Sequence, residues 1–147
     1  MRFNRISDIR ESEELTQEEL SKIIGGSRVS ISKWENQKDF PNIQKINTMA
    51  DYFHISLDYI FNLSKTKNYP DNKAGILDKK IVGERLREVR INNNLSLRKL
   101  ASELNTTFST LSAYETGKTL LLTAFAIQIC KKYNISMDWL YGKKSSK

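Results

Sequence analysis

The 147-residue chain carries 39% apolar and 28% charged residues and a formal net charge of +7, the balance of a globular protein with an affinity for polyanions. One cysteine, Cys130, and one histidine, His54, exclude disulfides, rule against a Cys/His zinc site, and leave no Cys–His or Ser–His nucleophile pair within a repeat unit. No run of about 18 apolar residues marks a membrane span and MRFNRISD lacks a leader's apolar stretch, so a cytoplasmic protein with no membrane partner is expected.

Taken from the N-terminus, the apolar spacing is helical throughout. A first helix is predicted over Phe3 to Ser12, with Ile6, Ile9 and Phe3 inward, ending before Glu13 and Glu14. Thr16-Gln-Glu-Glu19 is a capping box that opens a second helix, whose inward face is Leu20, Ile23 and Ile24. Gly25-Gly26 stops it, because glycine takes positive φ without a Cβ clash. Ser27 caps a third helix through about Glu35, with Ile31 and Trp34 on its buried side. Phe40-Pro41-Asn42 ends the connection, since proline disfavours helix in the residue before it and Asn42 suits a cap. The fourth helix buries Ile43, Ile46, Met49, Ala50 and Phe53, and a fifth after Ser56 turns Leu57, Ile60 and Phe61 inward; His54 falls in the turn between them.

After a polar stretch, Ser64 to Lys80, which holds Pro70 and Gly75, the pattern starts again. Ile6 to Asn62 lies on Leu86 to Gly142 at a constant offset of 80 residues without a gap, and Arg5/Arg85, Arg10/Arg90, Leu20/Leu100, Glu35/Glu115, Lys38/Lys118 and Asp58/Asp138 are among the identical pairs. Helices are predicted at Val82 to Asn92, Leu97 to Leu104, Phe108 to Glu115, Leu121 to Tyr133 and Met137 to Tyr141. A repeat of this length exceeds a solenoid unit of roughly 20 to 50 residues, so each copy should bury its own core. The expected division is a first domain over 1–64, a linker over 65–80, a second domain over 81–142 and a frayed basic tail over 143–147. A flexible linker of that length spans roughly 20 to 24 Å on average. Residues 1 to 65 carry nine Lys/Arg and ten Asp/Glu against fifteen and seven in the remainder, so the positive charge sits in the second half. Cys130 replaces Ala50 of the first copy and reads as a small core residue.

A short helix, a tight turn and a second helix with a polar N-terminal end make a shape that fits the DNA major groove, and it occurs twice. Leu20, Ser21, Ile24, Gly25, Ile31 and Trp34 supply it in the first copy; Leu100, Ala101, Leu104, Asn105, Leu111 and Tyr114 stand at the same places in the second. With TQEELSKIIGGSRVSISKWENQKDFPN and LSLRKLASELNTTFSTLSAYETGKT, each followed by I-S-x-D, both copies resemble the Cro/C1-type (XRE family) helix-turn-helix regulators. That resemblance implies an all-α fold of two tandem five-helix, lambda-repressor-like domains, and double-stranded DNA as the partner. It implies a phosphate or base contact at Gln17, base reading by Ser27, Arg28, Val29, Ser32 and Lys33, with phosphate as the alternative contact for Lys33, and backbone contacts at Asn36 and Lys38. Arg28 is the residue expected to set specificity, because a guanidinium pairs with guanine O6 and N7 together.

The second copy departs from the pattern. Leu97 replaces the glutamine, and the reading positions Thr107, Phe108, Ser109, Ser112 and Ala113 are uncharged; Phe108 suits a thymine methyl or a protein contact. Its cations, Arg85, Arg87, Arg90, Arg98, Lys99 and Lys118, with Lys131 and Lys132 beyond, suit phosphate better than sequence. A sequence-specific repressor is therefore expected, with the two copies reading two half-sites. The alternative makes the second domain a dimerisation or protein-interaction domain, whose partner would be an antirepressor, a toxin or a nucleic-acid enzyme, favoured by the uncharged face and by Leu120-Leu121-Leu122. The resemblance also suggests a homodimer through Trp139, Leu140 and Tyr141. No phosphate loop, carboxylate pair or metal-ligand spacing is present, so no enzyme activity, cofactor or metal is expected.

Overall fold

The computed structural model describes residues 2–67 and 72–147, and all regular elements among them are helices. Contacts divide the chain into two units, Met1–Ile76 and Leu77–Lys147. The first holds α1 (Ile6–Ser12), α2 (Gln17–Ile24), α3 (Arg28–Glu35), α4 (Ile43–Phe53) and α5 (Leu57–Ile60). The second holds α6 (Lys79–Asn92), α7 (Leu97–Glu103), α8 (Phe108–Glu115), α9 (Thr123–Tyr133) and α10 (Met137–Leu140).

Side-chain caps fix the helix starts in the first unit. Thr16 and Glu19 close the capping box on α2, and Ser27, Asn42 and Ser56 accept the amides of Ser30, Lys45 and Tyr59. Ile6, Leu20, Ile31, Ile46, Met49, Leu57, Ile60 and Phe61 are fully buried, so each helix gives one stripe to a shared centre. The core of the second unit is built from Leu86, Leu100, Leu111, Leu121, Ala126, Ile129, Met137 and Leu140, each at most 1% exposed, and Cys130 is buried beside them.

The first helix is shorter than its apolar spacing predicts. α1 begins at Ile6 because buried Asn4 replaces the missing turn: its Oδ1 accepts from the Ile6 amide and its Nδ2 donates to the Trp34 carbonyl at 3.0 Å. Phe3 lies instead on the ring of Phe40, centroids 4.6 Å apart. The second unit has no such asparagine, and α6 runs for 14 residues from an Asp78 cap. Gly83 makes the longer helix possible. A Cβ there would stand 2.5 Å from the Tyr114 carbonyl oxygen, so only glycine lets α6 pass the end of α8.

Neither end of the expected linker hangs free. The Ser56 amide donates to the Lys67 carbonyl, Asn47 Nδ2 donates to the Gly75 carbonyl at 2.7 Å, and the Gly75 amide donates to Asp51 at 2.9 Å, so Lys67 and Gly75 are held by the first unit, while Leu77 to Lys80 belong to the second, where Asp78 caps α6. Pro70 lies outside the described residues. The basic tail is likewise held: the Arg85 guanidinium donates to the Lys144 carbonyl, Lys143 is buried, and Lys147 pairs with Glu88 at 2.7 Å. Arg5 binds the carbonyls of Tyr59 and Ser64 in the same manner, which explains why the Arg5/Arg85 pair is identical.

The face expected for a homodimer is inside the molecule. Trp139, Leu140 and Tyr141 are 4%, 0% and 1% exposed, and the Tyr141 hydroxyl donates to the Leu121 carbonyl at 2.7 Å. These three residues pack the second unit's own core.

Candidate nucleic-acid interface

In the first unit, α2 and α3 meet across the turn at Gly25 and Gly26. Leu20, buried Ser21, Ile24, Ile31 and Trp34 fill the space between them, and the Ser21 hydroxyl donates back to the Glu18 carbonyl. That packing turns the opposite side of α3 outward. Arg28, Val29 and Lys33 are exposed on it, Ser27 is exposed at its cap, and Ser32 is half-buried. Asn36 and Lys38, just past the helix, are exposed, and Asn36 Nδ2 donates to the Ser32 hydroxyl.

Two expected readers have structural work of their own. Ser27 Oγ accepts the Ser30 amide, so it fixes where α3 begins. Gln17 Nε2 donates to Glu35 Oε1 at 3.1 Å, which leaves one of its two amide hydrogens for a phosphate. Glu35 is the centre of a clamp that sequence reasoning overlooked. Arg10 reaches it from α1 with Nε and Nη2 at 2.7 and 3.0 Å, and a third donor, Nη1, binds the Leu15 carbonyl. The hydrogen bonds that Arg10 donates to the Glu35 carboxylate raise the pKa of Arg10. A two-pronged charged bond with both partners mostly buried sets the angle of α3 against α1. The identities Arg10/Arg90 and Glu35/Glu115 were the available signal, since both members of the pair recur at one offset.

The second unit keeps the scaffold and changes the surface. Arg90 clamps Glu115 at 2.7 and 3.1 Å and binds the Leu95 carbonyl. Arg85 is committed to the carbonyls of Trp139 and Lys144, and burial lowers its pKa. Neither is a phosphate ligand, contrary to expectation. Lys132 is paired with Glu103, which raises its own pKa and lowers that of the carboxylate. Arg98 and Lys118 remain exposed, as do Thr107, Phe108 and Ser109, while Ser112 and Ala113 are half-buried. Thr107 caps α8 through the Thr110 amide. Arg98 lies over the Phe108 ring, 4.9 Å from its centroid, an arrangement that spacing alone did not reveal. Ser109, Tyr114, Lys118, Leu120 and Leu122 line a shallow groove beside this face.

Among the described residues no group of His, Cys, Asp and Glu side chains has the arrangement of a metal site, and no helix is long and apolar enough to cross a membrane.

Comparison with known proteins agrees with this geometry. Residues 6–60 match the family described as "Helix-turn-helix", and residues 83–146 match the "Helix-turn-helix domain" family. The chain is 32% identical over 91 residues to the HTH-type transcriptional activator BcrR of Enterococcus faecalis, a match that takes in 53% of this chain and 45% of that protein. The chain thus spans less than half the length of that relative. The crystal structure of the clp gene regulator ClgR from C. glutamicum overlaps 45% of this chain and 86% of its own at 23% identity, with a TM-score of 0.39.

Proposed function

We propose that the chain, whose two units each match a helix-turn-helix family, is a transcriptional regulator of the XRE, Cro/C1-like type that binds double-stranded DNA sequence-specifically through the major groove. The observation that carries this reading is the outward face of α3, where Ser27, Arg28, Val29 and Lys33 stand exposed on a helix braced by the Arg10–Glu35 clamp. Arg28 reads a base edge, and Lys33, Lys38 and Asn36 hold the backbone. The protein performs no catalysis, uses no cofactor, and works in the cytoplasm where the duplex is.

Repression follows if the protein occupies a promoter. A relative named as an activator favours the other sign, in which bound protein also presents a surface to polymerase. A reporter with the selected site moved from the promoter core to upstream of it separates the two. A second reading, with α8 as a protein-contact surface, has one specific support: Leu122, 58% exposed, borders the groove beside α8.

The test is selection of bound sites from randomised duplexes by the intact protein at near-physiological salt. Arg28→Ala is expected to relax one base position by roughly 1 to 3 kcal/mol. Lys38→Ala should weaken all sites evenly and lower the slope of log affinity against log salt by about one. Failure of the intact protein to select any sequence would sink the proposal.

A further inference from the structure

We propose that Arg98 is the base-reading residue of the second unit, held toward a guanine edge by the Phe108 ring, so that this unit selects a step in which thymine adjoins guanine. The inference rests on the DNA-binding reading above and deepens it. At the offset of the repeat, Phe108 stands where Arg28 does and Arg98 where Glu18 does. The cation has moved from the first turn of the reading helix to the first turn of the helix before it, and the acid has gone. Lys99 replaces Glu19 in the same way, so the start of α7 is cationic where the start of α2 is acidic.

The placement of Arg98 is what separates it from an ordinary phosphate contact. Its guanidinium carbon is 4.9 Å from the Phe108 centroid, and both side chains are exposed on the helix-turn-helix face. A guanidinium on a ring face uses its π surface and keeps its N–H donors at the edges, available for hydrogen bonds. The ring therefore removes rotamer freedom from a long side chain before the duplex arrives, and a pre-ordered fork suits the paired acceptors O6 and N7 of guanine. Phe108, itself 43% exposed at the start of α8, offers an apolar surface to a thymine methyl. Because the two groups touch, the methyl and the guanine they select must be neighbours. Lys99 beside them has no such constraint and serves the phosphates.

The test is site selection and sequencing with the intact chain and four variants, Arg28→Ala, Arg98→Lys, Phe108→Leu and Arg98→Ala. The native protein should select two elements, one of which Arg28→Ala degrades and the other of which contains the thymine–guanine step. Arg98→Lys, which keeps the charge and loses the fork, should cut the guanine preference in that second element roughly tenfold while leaving the salt slope unchanged. Arg98→Ala should lose the guanine preference and lower the slope as well. Phe108→Leu should lose the guanine preference and keep the thymine. If Arg98→Lys and Phe108→Leu both leave the guanine preference intact, Arg98 is a phosphate contact and the inference is wrong. A native protein that selects only the element degraded by Arg28→Ala overturns this inference and spares the proposed function; one that selects nothing overturns both.

Discussion

Gly25 joins α2 to α3 with φ 81° and ψ 158°, a region closed to side-chain-bearing residues. A Cβ on it would meet no atom within 4 Å, so any cost of replacing it is backbone strain alone. Gly25→Ala is accordingly expected to destabilise the first unit by about 1 to 3 kcal/mol, read as a shift of its urea midpoint, and to weaken DNA binding only through loss of folded protein. An unchanged midpoint would show that the turn can rearrange. The counterpart is Asn105, at φ 54°, the left-handed conformation that asparagine tolerates best. Other positive-φ positions recur across the repeat in this way: Glu14/Asn94, Gln37/Gly117, His54/Asn134 and Asn62/Gly142. His54 is thus a turn residue, as its position between two helices suggested, and its ring is not needed for that role. These backbone points were partly legible. Glycine and asparagine announce a positive φ, whereas Glu14 and Gln37 carry no such signal and show it only through their partners across the repeat.

At the level of elements, local signals set the caps and tertiary contacts set the exceptions. Thr16, Ser27 and Asn42 cap where the sequence says they should, because each needs only the next turn of its own helix. The starts of α1 and α6 were not readable, since Asn4 acts through a carbonyl 30 residues away and Gly83 through close passage of another helix. For Gly83→Ala two effects compete. Helix propensity favours alanine by about 0.5 to 1 kcal/mol, but a Cβ 2.5 Å from one backbone oxygen and 2.6 Å from the next cannot be relieved by turning a side chain. Sterics should win, with a loss of about 1 to 3 kcal/mol and a lower melting temperature for the second unit. Leu122 makes the opposite case. It occupies the N-cap of α9 with no side-chain bond, exposed, where Asn42 caps α4. Leu122→Asn should stabilise the second unit by about 1 kcal/mol in thermal melts. A leucine kept at that cost suits a surface used for contact, so the same variant should weaken any protein partner of the α8 groove and leave DNA selection by the first unit unchanged. The candidate interface was legible to a similar extent. Exposure of Arg28 and Lys33 follows from the periodicity that buries Ile31 and Trp34, while the commitment of Arg85 and Arg90 to internal partners depends on contacts 25 to 59 residues away that no local pattern contains.

Across the whole molecule the repeat has kept one scaffold while changing the chemistry of three aromatic positions, two of them buried and one half-buried. Trp34, Phe53 and Phe61 of the first unit become Tyr114, Tyr133 and Tyr141 in the second. Burial pushes all three tyrosines above their ordinary value near 10, Tyr141 by the most. An acid whose pKa is raised on folding contributes its stability in full below the unfolded value and loses it as pH rises toward the folded one. The second unit should therefore weaken above about pH 10, by a route that the first unit lacks at these three positions. Tyr141→Phe gives the sign of the effect directly. At neutral pH it removes the bond to the Leu121 carbonyl and should cost about 1 kcal/mol. As pH rises past 10 the native protein must keep a buried phenol protonated against solution, a burden the variant does not share, so the gap between them should narrow and then reverse. Each unit contains one tryptophan, Trp34 or Trp139, so single-tryptophan proteins report the two unfolding transitions separately by fluorescence. A stability gap between the native protein and the Tyr141→Phe variant that stays constant from about pH 8 to about pH 11, on either side of the ordinary phenol value, would mean that the phenol reaches solvent before the unit unfolds, and that the Tyr141 site opens locally.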